Sequence, residues 1–330
     1  MKEKIKSYFE NLNPKKLNLG SQIRISKIKK LGQGSSNINY LVVANGKKLV
    51  FRLNAHPEGE GKLKREYLGL KAIENLGISP KALFFDGSKK KFSNEVLVLK
   101  YIEGRKMSLR DLNVNFVKRL ARISAKIHRF DISNLKIPFY LRSSGLKEIE
   151  DYKKKFRRFL KDRSFFEMYE LSLERIRDDF KKLSAKKRLA LNHSDIQVGN
   201  IITQKNKIKL IDWEFMYKGD PAGEVAYIFT DFGRVFTEKE KRVFYENYLR
   251  VSNEFKNDVK IYQRIRFLEG FYWAVWHALK VKKGLMDKEY VKNTSKESHI
   301  KFAEKLFKRA VKHGVINKKY SKLNLRRIVR

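Results

Sequence analysis

Between Gln22 and Asn54 apolar and polar residues alternate, first in QIRISKIKKL and then in INYLVVANGKKLVFRLN, where an Asn45-Gly46 pair separates two alternating runs. A period of two marks strands with one buried face, and Asn-Gly between such runs is the strongest short hairpin signal. The pattern predicts a β meander. From Gly61 to Leu76 the period lengthens: Leu63, Tyr67, Leu70 and Ile73 recur at helical spacing, and Gly77 follows as a stop. EVLVLKYIEG, from Glu95 to Gly104, reads as another strand ending at a glycine. Strands plus one helix make a small α+β lobe.

Beyond Gly104 the character changes. Phe116, Leu120, Ile123 and Ile127 repeat at helical spacing, and a second amphipathic segment runs from about Lys147 to Leu183. One short β element interrupts the helices, NIITQKNKIKLID from Asn200 to Asp212, with polar residues in the middle to turn it. Further helices are expected from about Glu238 onward. The expected organisation is therefore two lobes, residues 1–104 rich in antiparallel strands and residues 105–330 mostly helical.

Composition sharpens this picture in two ways. With 330 residues and 42% hydrophobic content the chain can bury a real core, which excludes a mini-protein and a disordered chain. The absence of cysteine removes disulfides, thiolate zinc sites and cysteine nucleophiles, and fits a reducing compartment. Charge is the anomaly: 76 Lys and Arg stand against 36 Asp and Glu, a formal balance of +40. Such a field draws polyanions, or it reflects a general preference for lysine. No stretch is long and apolar enough to cross a bilayer, and the opening MKEKIKSYFENLNPKK has no apolar run like that of a signal sequence. A cytoplasmic location is expected.

The informative chemistry lies in LNHSDIQVGNII and LIDWEF, which place Asp195, Asn200 and Asp212 at intervals of five and twelve residues. Phosphoryl transfer from ATP needs an acceptor oxygen aligned with the γ-phosphate and divalent cations to neutralise charge. A carboxylate and an amide oxygen suit magnesium. A hairpin turning near Asn206 would set Asn200 and Asp212 opposite each other on strands about 4.8 Å apart, within reach of one ion. Asp195, just before the hairpin, would orient the acceptor hydroxyl and take its proton.

HSDIQVGN followed by IDWE resembles the catalytic loop and metal-binding turn of the aminoglycoside phosphotransferase and choline kinase superfamily. The resemblance implies a bilobal, protein-kinase-like fold with ATP held between the lobes. It implies Asp195 as catalytic aspartate, Asn200 and Asp212 as magnesium ligands and His193 as the loop histidine, whose neighbouring turn also suits a purely structural hydrogen-bonder. Upstream, LGQGSSNINY is similar to the GxxNxxY loop of choline kinase relatives, so Gly34, Ser35, Ser36 and Asn37 are expected at the phosphates; glycines between strands also serve as plain turns. Arg52, at the end of an apolar strand, is expected to reach the phosphates with Glu66 as its partner.

Three features point to the acceptor. HSDIQVGN is similar to the HNDxQxGN of choline and ethanolamine kinases, which sets Gln197, and Glu214 of IDWE, on the acceptor side. FYWAVWHALK resembles their WxxW, with Trp273 and Trp276 three apart. AYIFTDFGRVF resembles their acidic and aromatic segment, with Asp231 in place of the usual Glu. A quaternary ammonium cannot donate hydrogen bonds and is held against aromatic faces near carboxylates; an aromatic stripe at this spacing can equally be core. The resemblance thus implies phosphorylation of a small amino alcohol, choline or ethanolamine, in phospholipid head-group chemistry, with other small alcohols or a basic, nucleic-acid- or membrane-binding pseudokinase as rivals. Residues 281–330 carry 16 Lys and Arg against 4 Asp and Glu. That end is either a solvated face or a peripheral contact with anionic membrane or RNA.

Overall fold

The alternation between Ile25 and Asn54 is realised as three antiparallel strands, β1 (Ile25–Gln33), β2 (Asn37–Ala44) and β3 (Lys47–Asn54). The β2–β3 turn is the Asn-Gly pair, with φ of 48° at Asn45 and 73° at Gly46, the paired positive values of a type I′ hairpin. The computed structural model describes residues 1–33, 37–54, 61–135, 145–183, 188–285 and 296–329. After β3 come α2 (Lys62–Ala72), β4 (Ala82–Asp86) and β5 (Val96–Lys100), giving one antiparallel sheet in the order β1-β2-β3-β5-β4. An element not foreseen from the pattern, α1 (Lys2–Glu10), buries Ile5, Tyr8 and Phe9 in the same core as Val42, Phe51 and Phe92. Three apolar residues in a lysine-rich stretch are too short a run to stand out by period.

The chain then forms β6 (Arg105–Lys106), α3 (Val114–His128), β7 (Ala190–Asn192), β8 (Ile201–Gln204) and β9 (Lys207–Leu210). Strands β6, β8 and β9 make a separate three-stranded sheet. Gly104, at φ 132°, lets β6 approach β8: a Cβ there would lie 2.4 Å from the Thr203 carbonyl oxygen. The β8–β9 hairpin corrects one expectation. Its two-residue turn is Lys205-Asn206, so Ile201 pairs with Leu210 and the Ile211 N–H donates to the Asn200 carbonyl at 2.9 Å. Asn200 therefore faces Ile211, one residue short of Asp212.

By compactness the chain falls into two units: Met1–Tyr140 with Ala190–Lys218 and Arg242–Leu249, and Leu141–Leu189 with Gly219–Lys241 and Arg250–Arg330. Gly104 marks where strand-rich sequence gives way to helix-rich sequence; compactness instead groups the β8–β9 hairpin with the larger sheet. The second unit is helical, built on α4 (Gly145–Arg157), α5 (Arg163–Lys181), α6 (Pro221–Asp231) and the 30-residue α8 (Asn253–Lys282); α7 (Glu238–Asn247) begins in this unit and from Arg242 belongs to the first. The segment expected as one run from 147 to 183 is two helices, because Asp162 caps α5 by accepting from the Phe165 N–H at 2.8 Å. Phe156, Phe165, Tyr169, Phe271, Tyr272 and Phe307 fill this core. Among the described residues no helix is long and apolar enough to cross a membrane.

Candidate active site

Alternation along β3 turns Phe51 into one core and Arg52 to the other face, where Arg52 pairs across the sheet with Asn39. Its Nε donates to Asn39 Oδ1 at 3.0 Å. Nη1 donates to both oxygens of Glu66 at 2.7 and 2.6 Å and to Asp212 Oδ1 at 3.1 Å. Glu66 lies on the buried stripe of α2 with Leu63 and Leu70 and is fully enclosed. A carboxylate on an apolar stripe must be paired, and Arg52 and the Trp213 N–H at 3.3 Å supply its donors. The expected Arg52–Glu66 pairing is present.

Charge around this pair is unbalanced. Glu214 is also buried and accepts from Asn37 Nδ2 at 3.0 Å, so three carboxylates surround one guanidinium. Burial pushes the Glu66 carboxyl upward; Arg52 pulls it down, and Asp212 and Glu214 add to the rise. Glu214 is likewise raised, first by burial and then by Asp212, with Lys62, Arg52 and Asn37 opposing. Burial alone would lower the Arg52 guanidinium, but Glu66, Asp212 and Glu214 outweigh it and hold it well above its ordinary value. Excess negative charge in a buried cluster favours a further cation.

The residues of the HSDIQVGN segment form an adjoining network. Asp195 accepts from Gln197 Nε2 through Oδ1 at 2.9 Å and from Asn200 Nδ2 through Oδ2 at 2.6 Å. His193 is buried; its Nδ1 accepts the Asp195 N–H at 3.2 Å, so Nε2 carries the proton that it donates to the Ile211 carbonyl at 3.1 Å. That bond, with the Asn200–Ile211 backbone bond, ties the loop to the residue before Asp212. Ser194 and Asp212 both sit in the left-handed region, at φ 74° and 69°. Backbone of this kind costs about 1–3 kcal/mol per non-glycine residue and persists where surroundings hold it. At Asp212 it re-aims a side chain that the hairpin register alone would leave out of step with Asn200.

The donor set suits magnesium, a hard cation that takes oxygen ligands. Asn200 commits its amide nitrogen to Asp195, which leaves Oδ1 as the oxygen for an ion. Asp212 gives Oδ1 to Arg52, which leaves Oδ2. Among the described residues no group of three or more His, Cys, Asp and Glu side chains gathers as a cage, and magnesium commonly takes one or two protein carboxylates with phosphates and water completing its shell.

Asn37, Arg52, Glu66, Asp195, Gln197, Asn200, Asp212 and Glu214 all belong to the first unit. Gly34, Ser35 and Ser36 lie outside the described residues. Asp231, Trp273 and Trp276 belong to the second unit. There, Asp231 Oδ2 accepts from Thr230 Oγ1 at 2.8 Å and from Arg266 Nε and Nη2 at 3.3 and 3.2 Å. Trp273 is 39% exposed, with its ring 4.0 Å from that of His277 and 6.2 Å from that of Phe302. Trp276 is half-buried against the core, its ring 5.6 Å from Phe159. Asn39 and Arg266 were not anticipated. Asn39 was readable as the strand neighbour two residues from Asn37 on the same face; Arg266, one of several cations along α8, carried no sequence signal.

A model of the phosphotransferase enzyme family matches residues 27–268. Among solved structures, choline kinase LicA from Streptococcus pneumoniae is 21% identical with a TM-score of 0.63, over 94% of this chain and 96% of that one. Plasmodium vivax ethanolamine kinase is 18% identical with a TM-score of 0.63, over 92% and 84%. The GDP and kanamycin complex of APH(2")-IIia is 15% identical with a TM-score of 0.62, over 92% and 99%. No curated protein matches the sequence. These likenesses establish an α+β, kinase-like fold with an antiparallel-sheet region followed by a mostly helical one. With a family model spanning more than two thirds of its length and the pattern Asp195, Asn200, Asp212 held on one loop and hairpin, the chain belongs to the phosphotransferase enzyme family.

Proposed function

We propose that this protein is a magnesium- and ATP-dependent kinase that phosphorylates the hydroxyl of a small amino alcohol, choline or ethanolamine. The observation that carries the reading is the Asp195–Asn200 hydrogen bond on a loop that the Asn200–Ile211 backbone bond ties to the residue before Asp212, with Asp212 in turn bonded to Arg52 of the Arg52–Glu66 pair. In this reading residues 1–104 hold the nucleotide, and residues 105–330 supply the catalytic loop and the acceptor residues. Arg52 is fixed by Glu66 and Asn39 through Nη1 and Nε, and its Nη2 has no hydrogen-bond acceptor among the described residues. That nitrogen is the one to meet a phosphate oxygen. Gly34, Ser35, Ser36 and Asn37 are the residues this reading assigns to the phosphates.

Asn200 Oδ1 and Asp212 Oδ2 would hold magnesium, which when bound offsets charge on the transferring phosphoryl group. Asp195 accepts the acceptor hydroxyl's hydrogen bond and takes its proton as the O–P bond forms, with Gln197 and Asn200 keeping its carboxylate in one orientation. Gln197 and Glu214 contact the acceptor in this reading, and Asp231, Trp273 and Trp276 are assigned to its cationic end by the family resemblance alone. The product fits phospholipid head-group supply, in the cytoplasm.

A second reading, transfer to another small alcohol such as an aminoglycoside or a sugar, is favoured by one feature. Asp231 already spends an oxygen on Arg266 and has less charge to offer an ammonium. ADP release measured across a panel of amino alcohols, aminoglycosides and sugars separates the two: turnover of choline or ethanolamine supports the first, and none removes it. Asp195→Ala should lower turnover by about 10²–10⁴-fold with ATP affinity nearly unchanged; unaltered turnover would refute the assignment of Asp195.

A further inference from the structure

We propose that the first unit carries a second anion site, for a small ligand bearing more than one phosphoryl group, at the tip of the β8–β9 hairpin. The place is a surface cavity of about 520 Å³ lined by Gly104, Arg105, Arg110, Arg119 and Lys205, with the turn before α3 as its floor.

Four cations line it, and Asp111 is the sole acid. Asp111 is already spent: Arg105 grips it with two nitrogens at 2.6 and 2.5 Å, and the Ser108 N–H donates to it at 2.8 Å. Arg110, Arg119 and Lys205 have no acidic partner among the described residues. Arg119 Nε is buried without an acceptor, its guanidinium 6.0 Å from the Phe116 ring. A buried donor with no acceptor is a cost that an oxyanion removes, and guanidinium groups match phosphate oxygens in geometry as well as charge.

The walls are held. The Arg105 carbonyl accepts from Thr203 Oγ1 at 3.2 Å, Gly104 is pinned against β8, and Lys205 projects from the turn at φ 48°. A charged cavity on a chain of +40 needs a comparison, and the groove lined by Arg122, Lys126, Arg129 and Asp131 supplies one. There Lys126 Nζ donates to the Leu76 carbonyl at 2.7 Å and Arg122 to Asn247 Oδ1 at 3.3 Å. Arg122 and Lys126 thus have internal uses, whereas Arg110, Arg119 and Lys205 line their cavity with no acidic partner among the described residues.

The test is calorimetric titration of the full chain with inorganic pyrophosphate, the nucleotide site first saturated with a non-hydrolysable ATP analogue. One equivalent should bind, and Arg119→Gln with Lys205→Gln should weaken it at least 10-fold. Arg122→Gln with Lys126→Gln should change it less than 2-fold. No binding to the wild-type chain, or equal weakening in both double variants, overturns the proposal; the latter would mean that only the general positive field is felt. Should Arg119→Gln lower the melting temperature, Arg110→Gln with Lys205→Gln, both exposed, carries the same expectation.

Discussion

Each unit sets an arginine among carboxylates, and the two arrangements are built differently. In the first, Arg52 meets Glu66 from α2, Asp212 from beyond β9 and, more distantly, Glu214, with Asp212 held at φ 69°. In the second, Arg266 meets Asp231 from α6 and Glu269 one turn along α8, under the Tyr227 ring at 4.8 Å, all on regular helix. The Arg52 side chain is 7% exposed and that of Arg266 20%. One cluster stores backbone strain and sets three carboxylates against one guanidinium; the other sets two against one and is assembled from unstrained helices. Strain and excess charge retained together are what the proposed binding of a cation and a phosphate there would offset.

The contrast can be broken most forcibly at Arg52. Arg52→Met leaves Glu66 buried without its guanidinium and should cost about 3–5 kcal/mol in denaturant unfolding, with most of the loss recovered by adding Glu66→Leu. A single-variant loss below 1 kcal/mol would mean that the pair is not buried in solution. Next in size is the cation response. Magnesium with a non-hydrolysable ATP analogue should stabilise the wild-type chain by about 2.7 kcal/mol at a hundredfold excess over Kd. Asp212→Asn should abolish the magnesium-dependent part of that shift and the turnover with it. Equal shifts in the two proteins would remove Asp212 from the ion.

Arg266→Met should cost less than Arg52→Met, about 1–3 kcal/mol, because water already reaches Asp231, whose side chain is 30% exposed. It should leave the magnesium response intact. The smallest effect is a pH step in the second unit. Burial, with Lys280 and His299 adding repulsion, lowers His277 from 6.5 to about 4. The folded state thus holds His277 neutral while the unfolded chain takes up a proton, so the stability it contributes is complete above pH 6.5 and is lost as pH falls toward 4. Denaturant midpoints measured across that window should decline, and His277→Gln should flatten the decline.

Much of the fold was legible because its signals are local. The Asn45-Gly46 turn, the strands around it, the helix carrying Leu63 and Leu70, and the hairpin before Asp212 follow from period and turn chemistry. The site was legible as an order of residues along the chain: Arg52, Glu66, Asp195, Asn200, Asp212. Its geometry was less so. Counting residues from Asn206 set Asn200 against Asp212, whereas a two-residue turn sets it against Ile211, and a left-handed φ at Asp212 is invisible in composition. Glu66 could be named as a partner, yet that it lies fully enclosed on an apolar stripe, under the Trp213 N–H, depends on residues 147 positions apart.

Hydrophobic period and turn residues were enough to set out most of the strands and helices, and the resemblance carried by the loop and hairpin holding Asp195, Asn200 and Asp212 implied the kinase-like fold and the class of chemistry. All of these depend on interactions within a few residues or on a pattern that can be counted. Tertiary structure alone decided which carboxylates share a cation, which way Asp212 points, that Asp231 is bound to Arg266 and that Arg110, Arg119 and Lys205 line one cavity with no acidic partner among the described residues. Those outcomes depend on burial and on the approach of segments far apart in the chain, where the loss of water sets the strength of every charge.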